Sequence, residues 1–432
     1  TQKAVLIIDE VHSFDAYMQG LIKQVLLGQH AAIGSVILLS ATLTHKTKEQ
    51  LMLPYGGSSS NRDYPLVTHV SSTGEVTEFP SLASVDKRSV KVIQWHAVDL
   101  MPDRTQQLQL IQWAKAGAMV AVICNTVLDA QILYAQLMST GDIEADLFHA
   151  RFTTQDRRDR EQFVLKKYGK HAPRKGGLLI ATQVVEQSLD LDFDVIVSQL
   201  APIEFVMQRM GRLWRHDRSE GNESDLVKRS SVIETPLFIA LCPTLEQVKS
   251  DVESAYLASG YVYKNLRAMY RTQCYLNNVE TGYLKFPFAY RDALEWVYAE
   301  APHKDESEQL LNLAKAYENA QEKSFYDAIL TSNQASKPLS DVDPRAALQT
   351  REGEISQQVV LLKEKGKLFH GGDYNQRSDR EKSAVSLSPK LAKGRLDPQY
   401  HCLKAIVGED IDYQQVGIFD ARFTQAVQQF CE

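Results

Sequence analysis

Long apolar runs, paired cysteines and net positive charge are all scarce in this sequence of 432 residues. The longest apolar stretches, such as residues 4–8 and 118–124, are strand-sized, far short of the roughly 18–20 residues that cross a bilayer. The first of them begins almost at once, which leaves no room for a signal peptide, so a cytoplasmic protein with no membrane partner is expected. Five cysteines (Cys124, Cys242, Cys274, Cys402 and Cys431) are odd in number, scattered and without CxxC spacing, and support neither a disulfide framework nor a zinc site. Lys and Arg number 48 against 54 Asp and Glu, a net charge of −6 that argues against a body coated in basic charge. The basic excess is local: residues 151–175 carry nine Arg or Lys against three Asp or Glu. Also missing is GxxxxGK[ST], the loop whose amides cradle phosphates. Gly169-Lys170 and Gly366-Lys367 lack both the preceding strand and the following hydroxyl.

What is present is regular alternation, over a length that calls for two or three domains. Residues 4–9 read as a buried strand ending in carboxylates, residues 14–29 as an amphipathic helix, and residues 35–39 as a second strand. Together they predict a right-handed crossover unit of a parallel sheet. Residues 54–80, rich in Gly, Ser, Thr and Pro, read as a connector with turns and a short hairpin. From residue 90 to 242 strands and helices alternate, with helices near 104–116, 127–139, 154–167 and 204–215, the signature of a doubly wound α/β lobe. Helical text follows, aromatic-rich over 256–275, and residues 304–328 have the helix propensity of a linking helix. The polar residues 331–400 are weakly periodic, and 401–424 read as short strands of a small end domain. The expected division is residues 1–85, 86–300, a linker 301–345 and a C-terminal domain 346–432.

Chemistry concentrates at predicted strand ends, where open parallel sheets bind ligands. Asp9-Glu10-Val11-His12 closes the first strand, and adjacent carboxylates there can divide labour, one holding Mg²⁺ through water and the other accepting a proton from the attacking water. The next strand ends in Ser40-Ala41-Thr42, whose hydroxyls lie beside those carboxylates and can bond His12. Residues 182–190, from Thr182 to Asp190, follow another strand. Residues 208–215 read Gln208-Arg209-Met210-Gly211-Arg212-Leu213-Trp214-Arg215, with Arg212 and Arg215 three apart on one expected helical face, able to clamp a triphosphate. Gly211 permits close backbone approach.

These four blocks resemble motifs II, III, V and VI of superfamily 2 helicases. Their finer spelling, with Phe148-His149-Ala150-Arg151-Phe152 and residues 181–194, resembles the helicase-nuclease of type I CRISPR systems. The resemblance covers residues 1 to about 300 and implies tandem RecA-like lobes, the first incomplete, followed by a linker helix and a small C-terminal domain. It implies ATP and Mg²⁺ as cofactors. Asp9 would bind Mg²⁺, Glu10 would activate water, and His12 would couple hydrolysis to motion with Ser40 and Thr42. Gln208, Arg212 and Arg215 would meet the nucleotide, with Asp190 beside the ribose. Single-stranded DNA would be held partly by Asn125, Thr126, His149, Arg151 and Thr182, although Asn125-Thr126 could instead cap a helix and His149 could be a satisfied interior group.

The resemblance further implies a 3′ to 5′ translocase serving a Cascade-type surveillance complex, with the nuclease domain and phosphate loop on sequence upstream or on another chain. The chain alone is then expected to be inactive, and its first lobe to show an exposed sheet edge and an apolar face. His216-Asp217 is too sparse for a dinuclear nuclease. Two alternatives stay open at this level: a non-catalytic helicase remnant that binds single strands or a partner, and another superfamily 2 DNA or RNA helicase.

Overall fold

The computed structural model describes residues 5–80, 88–97, 99–186, 189–218, 228–335, 357–363, 367–388, 391, 403–404, 413–418, 422–423 and 425. Packing divides the chain into two units, one of Thr1–Arg88, Lys264–Tyr275 and Lys285–Gly353, the other of Ser89–Tyr263, Leu276–Leu284 and Glu354–Glu432.

The first unit opens with β1 (Val5–Ile8), α1 (Ala16–Ala31) and β2 (Ser35–Leu38). The strands pair parallel, Val5 opposite Ser35 and Ile8 opposite Leu38, so the crossover read from the sequence is present. Asp15 caps α1 by accepting from the Met18 amide. On one face of this sheet Val5, Ile7 and Ile37 are exposed, whereas a parallel sheet is ordinarily covered on both faces. After α2 (His45–Met52), the expected connector contains an antiparallel hairpin, β3 (Leu66–Val70) and β4 (Val76–Pro80). Lys48 pins it to α2 through Glu78, Nζ to Oε1 2.7 Å.

The second unit carries β5 (Ser89–His96), α3 (Arg104–Lys115), β6 (Met119–Ile123), α4 (Val127–Ser139), β7 (Ala145–Phe148), α5 (Thr154–Tyr168), β8 (Gly177–Ala181), β9 (Val195–Gln199), α6 (Ile203–Met210) and β10 (Leu237–Cys242). The strands lie in the order β5-β10-β9-β6-β8-β7, all neighbours parallel. All residues of β6, β8 and β9 are buried, as helices on both faces of a parallel sheet require. This alternation is the doubly wound lobe expected from residue 90 onward. Helices α7 (Leu245–Ser250) and α8 (Val252–Tyr263) follow.

Beyond them come α9 (Leu266–Asn277), β11 (Tyr283–Lys285) at the β5 edge of the sheet, α10 (Phe288–Val297) and α11 (Glu308–Ala335). The expected linker helix is α11, and it does more than link: it packs along α1 within the first unit. A Cβ on Gly20 of α1 would lie 2.5 Å from the Phe325 carbonyl oxygen and 2.8 Å from the Ala328 Cβ, so only glycine permits this approach. Residues 336–345 of the expected linker lie outside the described residues.

The C-terminal segment differs from the small separate domain expected of it. β12 (Gln357–Leu362), α12 (Arg377–Lys382), β13 (Ala384–Leu387) and β14 (Leu403–Lys404) form a three-stranded sheet in the order β13-β12-β14. Val359, Leu361, Val385, Leu387, Val416, Ile418 and Phe423 share one core with Leu133, Leu147 and Phe152 of the second unit. Short apolar strands without a face of their own to bury join the nearest large core. Much of residues 389–432 lies outside the described residues. Cys124, Cys242 and Cys274 are free thiols, and no helix among the described residues is long and apolar enough to cross a membrane.

Candidate functional site

In the first unit the parallel register sets the carboxyl ends of β1 and β2 side by side, and the ladder continues past both through Leu39 N to Ile8 O at 2.9 Å and Val11 N to Leu39 O at 3.1 Å. Glu10 turns the chain there in the left-handed region, φ 56° and ψ 38°, a conformation that costs a non-glycine residue about 1–3 kcal/mol and recurs at functional sites. Ser13 holds the turn, its Oγ donating to the Glu10 carbonyl at 2.8 Å.

The turn carries His12 under the strand ends, its side chain only 4% exposed. Its Nδ1 lies 3.2 Å from Ser40 Oγ, and Ser40 Oγ donates to the Thr42 carbonyl at 3.1 Å. Because that hydroxyl proton is committed, the network assigns the histidine proton to Nδ1, and Nε2, 3.2 Å from Glu10 Oε2, is buried without a hydrogen bond, since in the neutral ring both atoms are acceptors. Burial lowers the His12 pKa in spite of the opposing pull of Glu10 and Asp9, so the neutral ring is the resting form. Asp9 is exposed, with one oxygen taking the Glu10 amide at 2.8 Å. An exposed carboxylate at a strand end suits Mg²⁺, which binds through one or two carboxylates and retained waters. Two residues that the motifs do not mark hold the Ser40–Thr42 segment: Tyr64 OH donates to the Ala41 carbonyl at 2.9 Å and Arg291 Nη1 to the Leu43 carbonyl at 2.9 Å.

In the second unit the hub is Arg209, which the motif reading passed over. It is fully buried and donates five hydrogen bonds: Nε to Glu186 Oε1 at 2.7 Å, Nη1 to Ser198 Oγ at 2.6 Å and to the Gln199 carbonyl at 2.9 Å, and Nη2 to Asn125 Oδ1 at 3.0 Å and Tyr263 OH at 2.7 Å. One guanidinium thereby ties α6 to α8, to the ends of β6 and β9, and to the turn after β8. Its signal was in the sequence: Arg209 falls three residues after Val206 on the stripe Ile203, Val206, Met207, Met210 that buries α6.

The expected helix near 204–215 ends at Met210, so Arg212 and Arg215 do not share a helical face. Phe193 intervenes: its amide donates to the Arg212 carbonyl at 2.9 Å and its carbonyl accepts from the Trp214 amide at 3.0 Å, drawing residues 212–214 into a bridge, with Trp214 at φ 43°. Gly211 closes the helix in the right-handed region, and Gln208 is half-buried. Arg212 is 8% exposed and donates through Nη2 to the Glu186 carbonyl at 2.5 Å. Arg215 is exposed and pairs with Asp190, Nε to Oδ1 2.7 Å, an oxygen shared with His216 Nε2 at 2.9 Å. Burial works to raise the Asp190 carboxyl, but His216 and Arg215 outweigh it and hold its pKa below the usual value. Beneath this segment Asp192 and Asp194, both fully buried, are neutralised by Arg174, Arg218 and Arg229. Gln187 and Ser188 of the Thr182 to Asp190 block lie outside the described residues.

Most of the expected strand contacts face inward. Asn125 is buried and spends its side chain on Arg209, Tyr263, Ser259 and the Leu200 carbonyl. Thr126 caps α4, accepting from the Asp129 amide. His149 is fully buried, with Nε2 donating to the Val416 carbonyl at 3.0 Å and Nδ1 accepting from the Arg151 amide at 3.1 Å; burial pushes its pKa down to about 3. It is a satisfied interior group. Thr182 is 3% exposed, and Arg151 is half-buried. The cover differs between them: the C-terminal segment closes over His149 through Val416, and α6 and α8 close over Asn125 through Arg209, Ser259 and Tyr263.

Residues 116–218 match the family described as CRISPR-associated nuclease/helicase Cas3, C-terminal. The Cas3 endonuclease/helicase of Escherichia coli (strain K12) is 38% identical over 366 residues, 82% of this chain and 39% of that protein. The chain belongs to the Cas3 helicase family. Its fold agrees: T. fusca Cas3 superposes with a TM-score of 0.76 at 24% identity, covering 93% of this chain and 51% of that one, and the structure titled T. fusca Cas3-ATP gives 0.74 at 23%, covering 93% and 50%. A chain of a structure titled CRISPR RNA-guided surveillance complex, pre-nicking, gives 0.67 at 23%, covering 92% and 53%. The chain therefore spans about two fifths of the length of the E. coli Cas3 relative, and of its motifs those at residues 182–190 and 208–215 fall within the stretch that matches the Cas3 C-terminal family.

Proposed function

We propose that the chain forms the motor part of an ATP-dependent 3′ to 5′ single-stranded DNA translocase of type I CRISPR interference, acting in the cytoplasm with a Cascade-type surveillance complex. The observation that carries this reading is His12, buried at a strand end, hydrogen-bonded to Ser40 and 3.2 Å from the Glu10 carboxylate. That placement sets the group that would activate water beside the Ser40–Thr42 segment. The Cas3-ATP and surveillance-complex titles among its structural relatives support nucleotide and partner.

In this reading Asp9 holds Mg²⁺ through water, and ATP-Mg²⁺ supplies the phosphoanhydride to be cleaved. Glu10 takes the proton of the attacking water. Gln208, Gly211 and Asp190 of the second unit would contact the nucleotide, and Arg212 and Arg215 its phosphates. Arg215 is the freer of the two, since an exposed pair such as that with Asp190 is worth only ~0–1 kcal/mol and exchanges readily for a phosphate. Because the chain has no GxxxxGK[ST], it does not turn over ATP alone. The exposed face of Val5, Ile7 and Ile37 supports completion by further sheet-forming sequence, in cis or on another chain, that bears the phosphate loop and nuclease domain.

The test is phosphate release stimulated by single-stranded DNA in a full-length protein. Glu10→Gln reduces it by on the order of 10²-fold or more, the usual share of a general base, while strand binding persists. Unchanged turnover would remove Glu10 from its role, and stimulated release by this chain alone, above a Glu10→Ala control, would overturn the claim that it is inactive by itself.

A further inference from the structure

With Asn125 and His149 buried and committed and Thr182 buried, the polar groups offered to a strand at this end of the second unit lie elsewhere. A cavity of about 300 Å³ opens between the first turns of α5 and the β12–β13 hairpin. Phe152 and Val385, both buried, form its floor, and Arg157, Arg158, Gln358 and Ser386, all exposed, form its rim. One carboxylate, Glu161, stands against two guanidiniums, which leaves the lining net positive on a chain that is net negative.

The basic residues around it are unequal. Arg160 lies over the Phe152 ring at 4.0 Å and donates to the Leu147 carbonyl, Lys167 pairs with Asp146, and Arg174 is buried on Asp192 and Asp194. Arg157 and Arg158 are exposed and make no ion pair among the described residues. The hairpin that supplies the opposite wall is fixed: Thr154 Oγ1 donates to the Ala384 carbonyl at 3.2 Å, and Thr153 Oγ1 lies 2.8 Å from His370 Nε2. Both faces of Phe152 are occupied, by His149 stacked at 4.5 Å and by Arg160, so the floor offers a ring edge and aliphatic carbon, not a stacking platform.

We propose that this cleft is a single-strand subsite: it holds one nucleotide, with its phosphates on Arg157 and Arg158, its sugar and base edge over Phe152 and Val385, and Gln358 and Ser386 as sequence-neutral hydrogen-bond partners. The proposal rests on the translocase reading above. Phosphate contacts of this kind position a strand without reading its sequence. Two guanidiniums account for about 1.4 of the slope of log affinity against log salt, at ~0.7 per phosphate neutralised on a single strand.

The experiment measures anisotropy of a fluorescein-labelled oligo(dT) on the full chain over about 50–200 mM salt. Arg157→Gln with Arg158→Gln weakens binding at least tenfold and flattens the salt slope by about 1.4. Ser386→Trp, which fills the cleft and leaves the charge unchanged, weakens it as well. Lys166→Gln with Lys170→Gln, an equal loss of charge at the far end of α5, changes affinity less than twofold. A strand that binds the arginine pair and Ser386→Trp as tightly as the parent overturns the cleft and leaves the translocase reading standing. Equal losses from the arginine and lysine pairs overturn it in favour of diffuse attraction. A parent chain that binds no DNA removes the strand reading and the cleft with it.

Discussion

Replacing Arg209 tests how the second unit holds its functional loops. Arg209→Met leaves Glu186, itself only 6% exposed, as a buried carboxylate without its counter-ion, and strips partners from Asn125, Ser198 and Tyr263. Breaking a buried pair on one side costs about 3–5 kcal/mol, a large part of a domain stability of ~5–15 kcal/mol. The chain has two units, so a single melting temperature would mix them. Hydrogen exchange of the Met119–Ile123 amides reports the second unit alone, and at one decade per ~1.4 kcal/mol those amides exchange on the order of 10²–10⁴-fold faster in the variant. The deficit also depends on pH. Burial raises the Glu186 pKa, and Arg209 offsets part of the rise. Without Arg209 the value climbs further, so the folded variant takes up a proton that the unfolded chain does not hold. The deficit is therefore full above the raised value and shrinks as pH falls toward the unfolded glutamate value of about 4.3. Adding Glu186→Leu recovers most of the loss, since an apolar pair of similar volume is often neutral. Exchange within threefold of the parent, or a deficit that does not change between pH 8 and 5, would refute the hub.

Three further outcomes follow from the packing. His149 is held to about 3 by burial, below an unfolded value near 6.5, so its contribution is whole above ~6.5 and is lost as pH falls toward 3; going from pH 7.5 to 5 should cost the second unit about 2 kcal/mol, read from exchange of the Met119–Ile123 amides after correction for intrinsic rates, and His149→Gln should remove that part of the slope. Equal slopes in parent and variant would show that another group titrates. Gly417 has φ +72°, and a Cβ there would sit 2.6 Å from the Arg151 carbonyl oxygen, so Gly417→Val should free the segment around Val416 and Ile418 and expose it to limited proteolysis; an unchanged digest would show that this close approach does not hold the segment. Gly20→Leu should separate α1 from α11 at a cost of ~1–3 kcal/mol, read as faster exchange in Glu308–Ala335, and unchanged exchange there would show that the two helices do not depend on each other.

The second lobe was legible because each of its strands is an apolar run bounded by a helix of the right length, and burial on both faces writes that pattern in consecutive residues. The pairing of His12 with Ser40 was likewise implied by two motifs one crossover apart. Long-range burial was not legible. Nothing local to residues 357–362 or 384–387 says which core they join, and a helix such as Glu308–Ala335, polar on most positions, looks like a spacer until Gly20 supplies a partner close enough to receive it. Hydrogen bonds from Phe193 override the helical periodicity of 204–215, a contact between segments that no window of sequence contains. Asn125 and His149 were placed correctly at strand ends, but which side of a strand end faces water depends on what covers it.

The return of α11 to α1 has a consequence for synthesis. About 280 residues separate Ala31 from Glu308, and at ~5–20 residues per second the ribosome needs roughly 15–55 s to make them. Through that interval the α1 surface that α11 will cover has no cover from it, while the sheet of the second unit is completed from contiguous chain. The first unit is thus begun early and finished late, and its newborn helix is the surface a chaperone would find.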